Sequence, residues 1–270
     1  VAWALATAWT SQPPIIHLHT GATGALSRGI VKRRLTTWLL KRSEAWLLSE
    51  RFRDALPVHS TAVVVHNGIN CSGREHDKIV ESSSMPRDGP IQLVFFSNRT
   101  PTKGVRTAID VSSQLLAQHP EALRVTFAGF PMDQSVENAL ERLVKKHPLE
   151  VSVLDGVESE AKCRLLGRAD ILLMPSRYPL EGAPLVLIEA LMHGAFCVVT
   201  DHAALPEIVG ASGSVVNDEA GIIDAYNTFA ALRPDERQRI RVAAIERWQS
   251  HFSAEIYRGR VADRLKAGAH

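Results

Sequence analysis

Cysteine is scarce in this chain, and so are most features that would set it apart from an ordinary globular protein. Only Cys71, Cys163 and Cys197 occur in 270 residues, an odd number, far apart and without a Cys-x-x-Cys pair. They support neither a disulfide framework nor a zinc site, and they fit a reducing cytoplasm. No apolar run approaches the roughly 20 residues of a membrane-spanning helix. The opening Val1-Ala-Trp-Ala-Leu-Ala-Thr-Ala-Trp9 lacks a basic flank, which argues against a secretory signal. The formal net charge is only +2, so composition makes no claim on nucleic acid as a partner. There is no internal repeat and no low-complexity tract. What is left, with 45% hydrophobic and 22% charged residues, can bury a sizeable core in one or two domains.

Apolar runs alternate with helical periodicity along the whole chain. The first segment predicts strands at 14–19, 45–48 and 61–66, with helices at about 25–41 and 50–56. From Asn70 to Gly89 the chain gathers Ser, Gly, Pro and charge without periodicity, as an interdomain linker does. A second series follows, with strands at 91–96, 123–128, 151–154, 170–174, 196–200 and 213–216. Helices are expected at about 104–118, 134–146, 158–167, around Glu189, and then at 219–231, 235–250 and 253–267. This rhythm predicts an α/β fold with parallel sheets, whose ligands sit beyond the carboxyl ends of the strands.

One stretch carries most of the chemistry. Ile171-Leu-Leu-Met174 leads through Pro175-Ser-Arg-Tyr-Pro-Leu180 into Glu181-Gly-Ala-Pro-Leu-Val-Leu-Ile-Glu189 and then Phe196-Cys-Val-Val-Thr200. It reads as strand, loop, helix, strand, with Pro184 in the first helical turn. The N–H groups around Gly182, Ala183 and Leu185 then lack acceptors at a positive helix end, a setting that favours phosphate. Glu181 is placed to accept sugar hydroxyls, and Glu189 to accept the two hydroxyls of a ribose. A second loop, Phe95-Phe-Ser-Asn-Arg-Thr-Pro-Thr-Lys-Gly-Val105, puts Lys103 at a helix opening, where its ammonium can reach a diphosphate.

Together these motifs resemble the Glu-x7-Glu signature and phosphate loop of the family 4 glycosyltransferases, retaining enzymes of the GT-B fold. Ala169-Asp-Ile-Leu-Leu-Met, Leu187-Ile-Glu-Ala-Leu, Val198-Val-Thr-Asp201 and Leu205-Pro-Glu-Ile-Val209 follow the family's order. The resemblance implies two Rossmann-like domains facing a cleft. On that pattern, residues 1–70 are the remnant of an acceptor-side domain whose front is missing, and 71–89 the linker. Residues 90–235 form the nucleotide-sugar domain, and 236–270 are helices expected to pack back toward the first. The implied reaction moves a sugar from a nucleoside-diphosphate donor to a glycan, glycolipid or small-molecule acceptor, with retained anomeric configuration. It needs no cofactor and no divalent metal.

The resemblance also distributes roles. Glu181 and His19 would be catalytic, with His19 closing Pro13-Pro-Ile-Ile-His-Leu-His19 and facing the donor sugar from the other domain. Asn98 stands where the family usually carries an arginine, with Arg99 one residue later. Asn98, Arg99, Lys103, Gly182, Ala183, Leu185 and Glu189 would bind the donor. Ala128-Gly-Phe130 and Leu154-Asp-Gly-Val157 match strand ends that shape the nucleotide pocket. Val63-Val-Val-His-Asn-Gly-Ile69 matches a turn of architectural role, His66 replacing the family's proline.

Three alternatives stay open on the residues alone. His17 and His19 share one side of a strand but have no nearby carboxylate to complete a metal site. The basic amphipathic helix of residues 26–42, with Arg28, Lys32, Arg33, Arg34, Lys41 and Arg42, fits either peripheral contact with an inner membrane surface or a solvated face. The Thr20-Gly-Ala-Thr-Gly-Ala-Leu26 turn imitates a dinucleotide loop, yet Tyr178, Tyr226 and Tyr257 all lack the lysine four residues on that a short-chain dehydrogenase requires. A chain that binds donor without turnover is the remaining possibility.

Overall fold

The computed structural model of the protein describes residues 14–19, 30–56, 61–69, 89–157 and 159–267. The expected linker up to residue 88 and the Thr20 to Leu26 turn lie outside these residues, as does the start of the basic helix.

Two parallel sheets organise the described residues. The smaller has strand order β1-β2-β3, from β1 (Ile15–Leu18), β2 (Glu44–Leu47) and β3 (Thr61–Val64). Helix α1 (Ile30–Leu40) joins β1 to β2, and a 3-10 turn, Glu50–Ala55, lies between β2 and β3. In the described part of α1, Leu40 is buried while Arg34 and Leu35 are exposed, so this helix has a core side and a solvated side.

The larger sheet has six strands, β4 (Ile91–Phe96), β5 (Leu123–Ala128), β6 (Val151–Leu154), β7 (Ile171–Met174), β8 (Phe196–Thr200) and β9 (Gly213–Val216), in the order β6-β5-β4-β7-β8-β9. All its pairings are parallel. The order reverses between β4 and β7, and a crevice opens above the carboxyl ends at such a switch point. The loops after β4 and β7, which carry Lys103 and Glu181, meet there.

The elements follow from local chemistry. All four residues of β7 are buried, as a strand covered on both faces demands. In β4, Ile91, Leu93 and Phe95 join one core and Val94 the other, the two-residue period of a pleated strand. Helices α2 (Val105–Gln118), α3 (Gln134–Lys146) and α7 (Glu219–Ala231) cover the first of these faces. The start of α3 is set by Asp133, whose carboxylate accepts from the Ser135 and Val136 N–H groups, and Lys145 and Lys146 complement its C-terminal dipole.

On the opposite face lie α4 (Ser159–Arg168), α5 (Leu185–Met192), α6 (Leu205–Val209) and α8 (Pro234–His251). Their core includes Leu187, Ile188, Leu191 and Trp248, and it also takes in Leu47 of β2 and Leu48 and Phe52 just beyond it. Each fully buried leucine of this kind contributes about 2 kcal/mol. The two sheets therefore share one apolar seam.

Polar ties reinforce it. Ser49 donates to the Glu207 carboxylate, and Arg51 pairs with Asp201 at 2.6 Å. The final helix α9 (Ala254–Ala267) returns to the smaller sheet, where Arg264 pairs with Glu44 at 2.7 Å. Ile69 exchanges backbone hydrogen bonds with Phe252 and Ala254 at the junction of α8 and α9. Gly68 permits this approach, because a Cβ there would come within 2.4 Å of the Tyr257 Cβ.

Candidate functional site

The site is built at the switch point. After β4 the chain makes a short 3-10 turn, Pro101–Lys103, and enters α2 through Gly104. Gly104 has φ of 80°, and a side chain there would meet the Pro175 carbonyl at 2.1 Å, so only glycine lets this loop rest on the next. The Arg177 N–H then donates to Thr102 O at 2.9 Å, tying the two loops together.

The loop after β7 is held from several directions. Thr200 donates to Ser176 O at 2.5 Å, the His202 imidazole meets Tyr178 O at 2.7 Å, and Arg177 donates to Asn217 O at 2.5 Å. These bonds bring Glu181 to Lys103. Both carboxylate oxygens of Glu181 lie 2.9 Å from the Lys103 ammonium, and the Ser176 hydroxyl donates to Oε2 at 2.5 Å. Glu181 is only 5% exposed. The ammonium also stands 4.6 Å from the centre of the Tyr178 ring, within cation–π range.

Glu189 lies in the second turn of α5 and is paired as well. The Lys162 ammonium, from α4, reaches its Oε1 at 2.5 Å. Ala183 is buried, Gly182 half-buried and Leu185 exposed, so the helix start opens to solvent on one side. Pro184 is the residue before the helix, with φ −65° and ψ 125°, rather than a member of its first turn.

Arg99 requires a correction. It was expected at the diphosphate, but its side chain is 1% exposed and turned into the β5–β6 strand ends. There its guanidinium donates to Gly129 O at 2.5 Å, to both oxygens of Glu137 at 2.8 Å, and to Asp155 at 2.7 Å. Burial opposes its charge, yet the bonds to Glu137 and Asp155 outweigh it and raise its pKa further. Arg99 is thus held in a buried network, while the Lys103 ammonium of the same loop faces Glu181. Asn98 remains exposed.

The facing side comes from the smaller sheet. Asn67, just beyond β3, donates to Ala183 O at 3.1 Å, so the carboxyl ends of both sheets face each other here. The His66 imidazole meets Leu48 O at 3.0 Å, and burial lowers its pKa. His19 is exposed at the end of β1, its ring 4.1 Å from that of His17. Burial and the neighbouring His19 lower the pKa of His17. His19 has no described contact with Glu181 or Lys103. Among the described residues no group of three or more His, Cys, Asp or Glu gathers as a metal site would, and no helix is long and apolar enough to cross a membrane.

Sequence reasoning did not find Lys162, Ser176 or Tyr178. Ser176 and Tyr178 lie inside the quoted loop, but nothing in their order says which way they point. Lys162 is 27 residues from its partner, on a helix of ordinary polar composition.

Comparison with known proteins places this geometry. Among solved structures, Anabaena Alr3699/HepE in complex with UDP superposes with a TM-score of 0.77 at 17% identity, covering 98% of this chain and 75% of that one. A glycosyltransferase from Rickettsia africae gives 0.74 at 17%, covering 99% and 74%. These establish the GT-B type of fold. In sequence, the chain is 29% identical over 251 residues to glycogen synthase of Mycobacterium tuberculosis (strain H37Rv), across 87% of its own length. It spans only 56% of that synthase. The family model for glycosyl transferases group 1 matches residues 78–247, well over half of the chain and all of the switch-point site, and the chain belongs to that family.

Proposed function

We propose that this chain forms the donor side of a retaining glycosyltransferase, one that moves a sugar from a nucleoside diphosphate to an acceptor hydroxyl. The observation that carries this reading is the Lys103–Glu181 pair, set across the switch point with Ser176 behind the carboxylate. The ion pair holds both groups ready without a ligand. When a donor enters, its diphosphate competes for Lys103 and for the N–H groups of Gly182, Ala183 and Leu185, while the sugar hydroxyls take the place of the ammonium on Glu181. Asn98 adds a neutral donor to the diphosphate.

Such an arrangement stabilises the charge that develops on the leaving diphosphate and positions the sugar. No protein nucleophile is needed if the leaving phosphate accepts the acceptor's proton on the face where the new bond forms. That path retains the anomeric configuration, and it assigns His19 to the sugar from across the cleft. Because Lys103 and the helix start supply the positive charge, the proposal includes no metal and no cofactor. The glycogen synthase likeness favours a glycan acceptor, and the cysteine pattern a cytoplasmic setting. Contact of residues 26–42 with an anionic membrane belongs to the proposal too, and cosedimentation with phosphatidylglycerol vesicles tests it.

The test of the central claim is a thermal-shift screen against UDP-, GDP- and ADP-sugars. A specific donor at 100 times its Kd stabilises the fold by about 2.7 kcal/mol. No shift with any of the three would overturn the reading. A shift without sugar transfer by this chain, with transfer by a longer form, would mark it as a donor-binding portion. Proton NMR of the first product reads the anomeric configuration directly.

A further inference from the structure

Lys162 stands outside every motif that pointed to the donor, yet it bonds directly to one of the two glutamates. Its ammonium, 30% exposed, lies 2.5 Å from Oε1 of Glu189, which is 15% exposed. The nearby acid on the same helix, Glu160, is taken by Arg164 at 2.7 Å. Among the described ion pairs Lys162 meets Glu189 alone, and Glu189 Oε2 has no described partner.

Two physical consequences follow. A carboxylate offers about four lone-pair sites, so one ammonium bond restrains the rotation of the group and leaves the second oxygen for hydroxyl donors. The ammonium also cancels a negative charge that would otherwise repel a diphosphate a few ångströms away. A bare glutamate in this place would attract a ribose and repel the phosphates attached to it. We infer that Lys162 is a positioning residue for the donor nucleotide: it orients Glu189 toward the ribose hydroxyls and neutralises it against the diphosphate. This rests on the reading of Glu189 as the ribose acceptor, and it makes Lys162 a determinant of ribose over deoxyribose.

The test is calorimetric binding of UDP and 2′-deoxy-UDP to the whole chain, with the ADP and GDP pairs if neither uridine nucleotide binds. The wild type should prefer the ribonucleotide by about tenfold, as expected for one hydrogen bond to a charged group. Lys162→Met should cut that preference to less than about threefold while the melting curve stays cooperative. Lys162→Arg should restore it, and Lys162→Gln serves if the methionine variant fails to fold. A merely structural lysine would change stability but not the ribose-to-deoxyribose ratio. If Glu189→Gln abolishes the preference and Lys162→Met leaves it intact, the inference about Lys162 is overturned and the ribose reading stands. If Glu189→Gln leaves the preference intact, or no nucleotide binds the wild type, the ribose reading fails and the inference goes with it.

Discussion

Arg99 and Lys103 belong to one loop, both cationic and both in reach of carboxylates, and they end in opposite environments. Arg99 is sealed against Glu137, Asp155 and Gly129 O with 1% of its side chain exposed. Lys103 is 22% exposed and faces Glu181 across the mouth of the crevice. The planar guanidinium satisfies three acceptors in fixed directions and suits permanent burial. The ammonium, on a flexible stem, can let go of one anion and take another. One end of the loop is locked in a buried network and the other faces the crevice, and charge alone does not say which.

Substitutions can break this contrast. The largest effect is expected at the carboxylate facing the lysine: Glu181→Ala should lower kcat for sugar transfer by at least about 10²–10³-fold, the scale of losing one preorganised contact at a reacting centre. Lys103→Ala should cost about 10²-fold in kcat/KM, and leaving the buried Glu181 carboxylate to Ser176 alone should also lower the melting temperature. Steady-state kinetics beside a melting curve checks both. Arg99→Ala should act on stability and spare the donor. Stranding Glu137 and the Gly129 carbonyl costs about 2–3 kcal/mol, or roughly 5–10 °C in a chain of this size. Donor KM below the melting transition should then change by less than about threefold. A severe KM defect with unchanged stability would reverse the roles assigned to the two cations.

Asn98→Arg sharpens the comparison further. An exposed guanidinium beside the crevice should tighten donor binding by about three- to fivefold if the diphosphate reaches that wall. Calorimetry with the preferred donor measures it, and an unchanged Kd places the diphosphate elsewhere.

The smallest effect is in pH. The pKa of His17 is lowered by burial and by His19, and that of His66 by burial, while the unfolded chain protonates its histidines near pH 6.5. Below that pH the unfolded state binds more protons than the folded one, so stability should fall as pH drops from about 7 to 5.5. Melting temperatures at the two pH values test the sign, and His66→Gln should remove part of the slope.

Much of this architecture could be read from the chain alone. The bounds of β5, α3, β6, β8, β9 and α7 fall where the hydrophobic period and the turn residues put them. The short α6 went unread, because five residues, Leu205–Val209, are too few to show a helical period. Strand β3 ends two residues early at Val64: Val65 still donates to Leu47 O, but from His66 the chain leaves the ladder and Asn67 reaches Ala183.

The site divides in the same way. Glu181, Glu189, Lys103 and Gly104 are legible because they sit at the ends of strands and the starts of helices, where local geometry dictates which groups are left over. Lys162, Ser176 and the fate of Arg99 are not, because they depend on partners 27, 5 and 38 residues away. Local order along a chain sets hydrogen-bonding periods, caps and turns, and these decide which loops face the crevice. Which lysine meets which carboxylate, and which arginine is buried, is settled by distances between elements that come together only when the sheet closes.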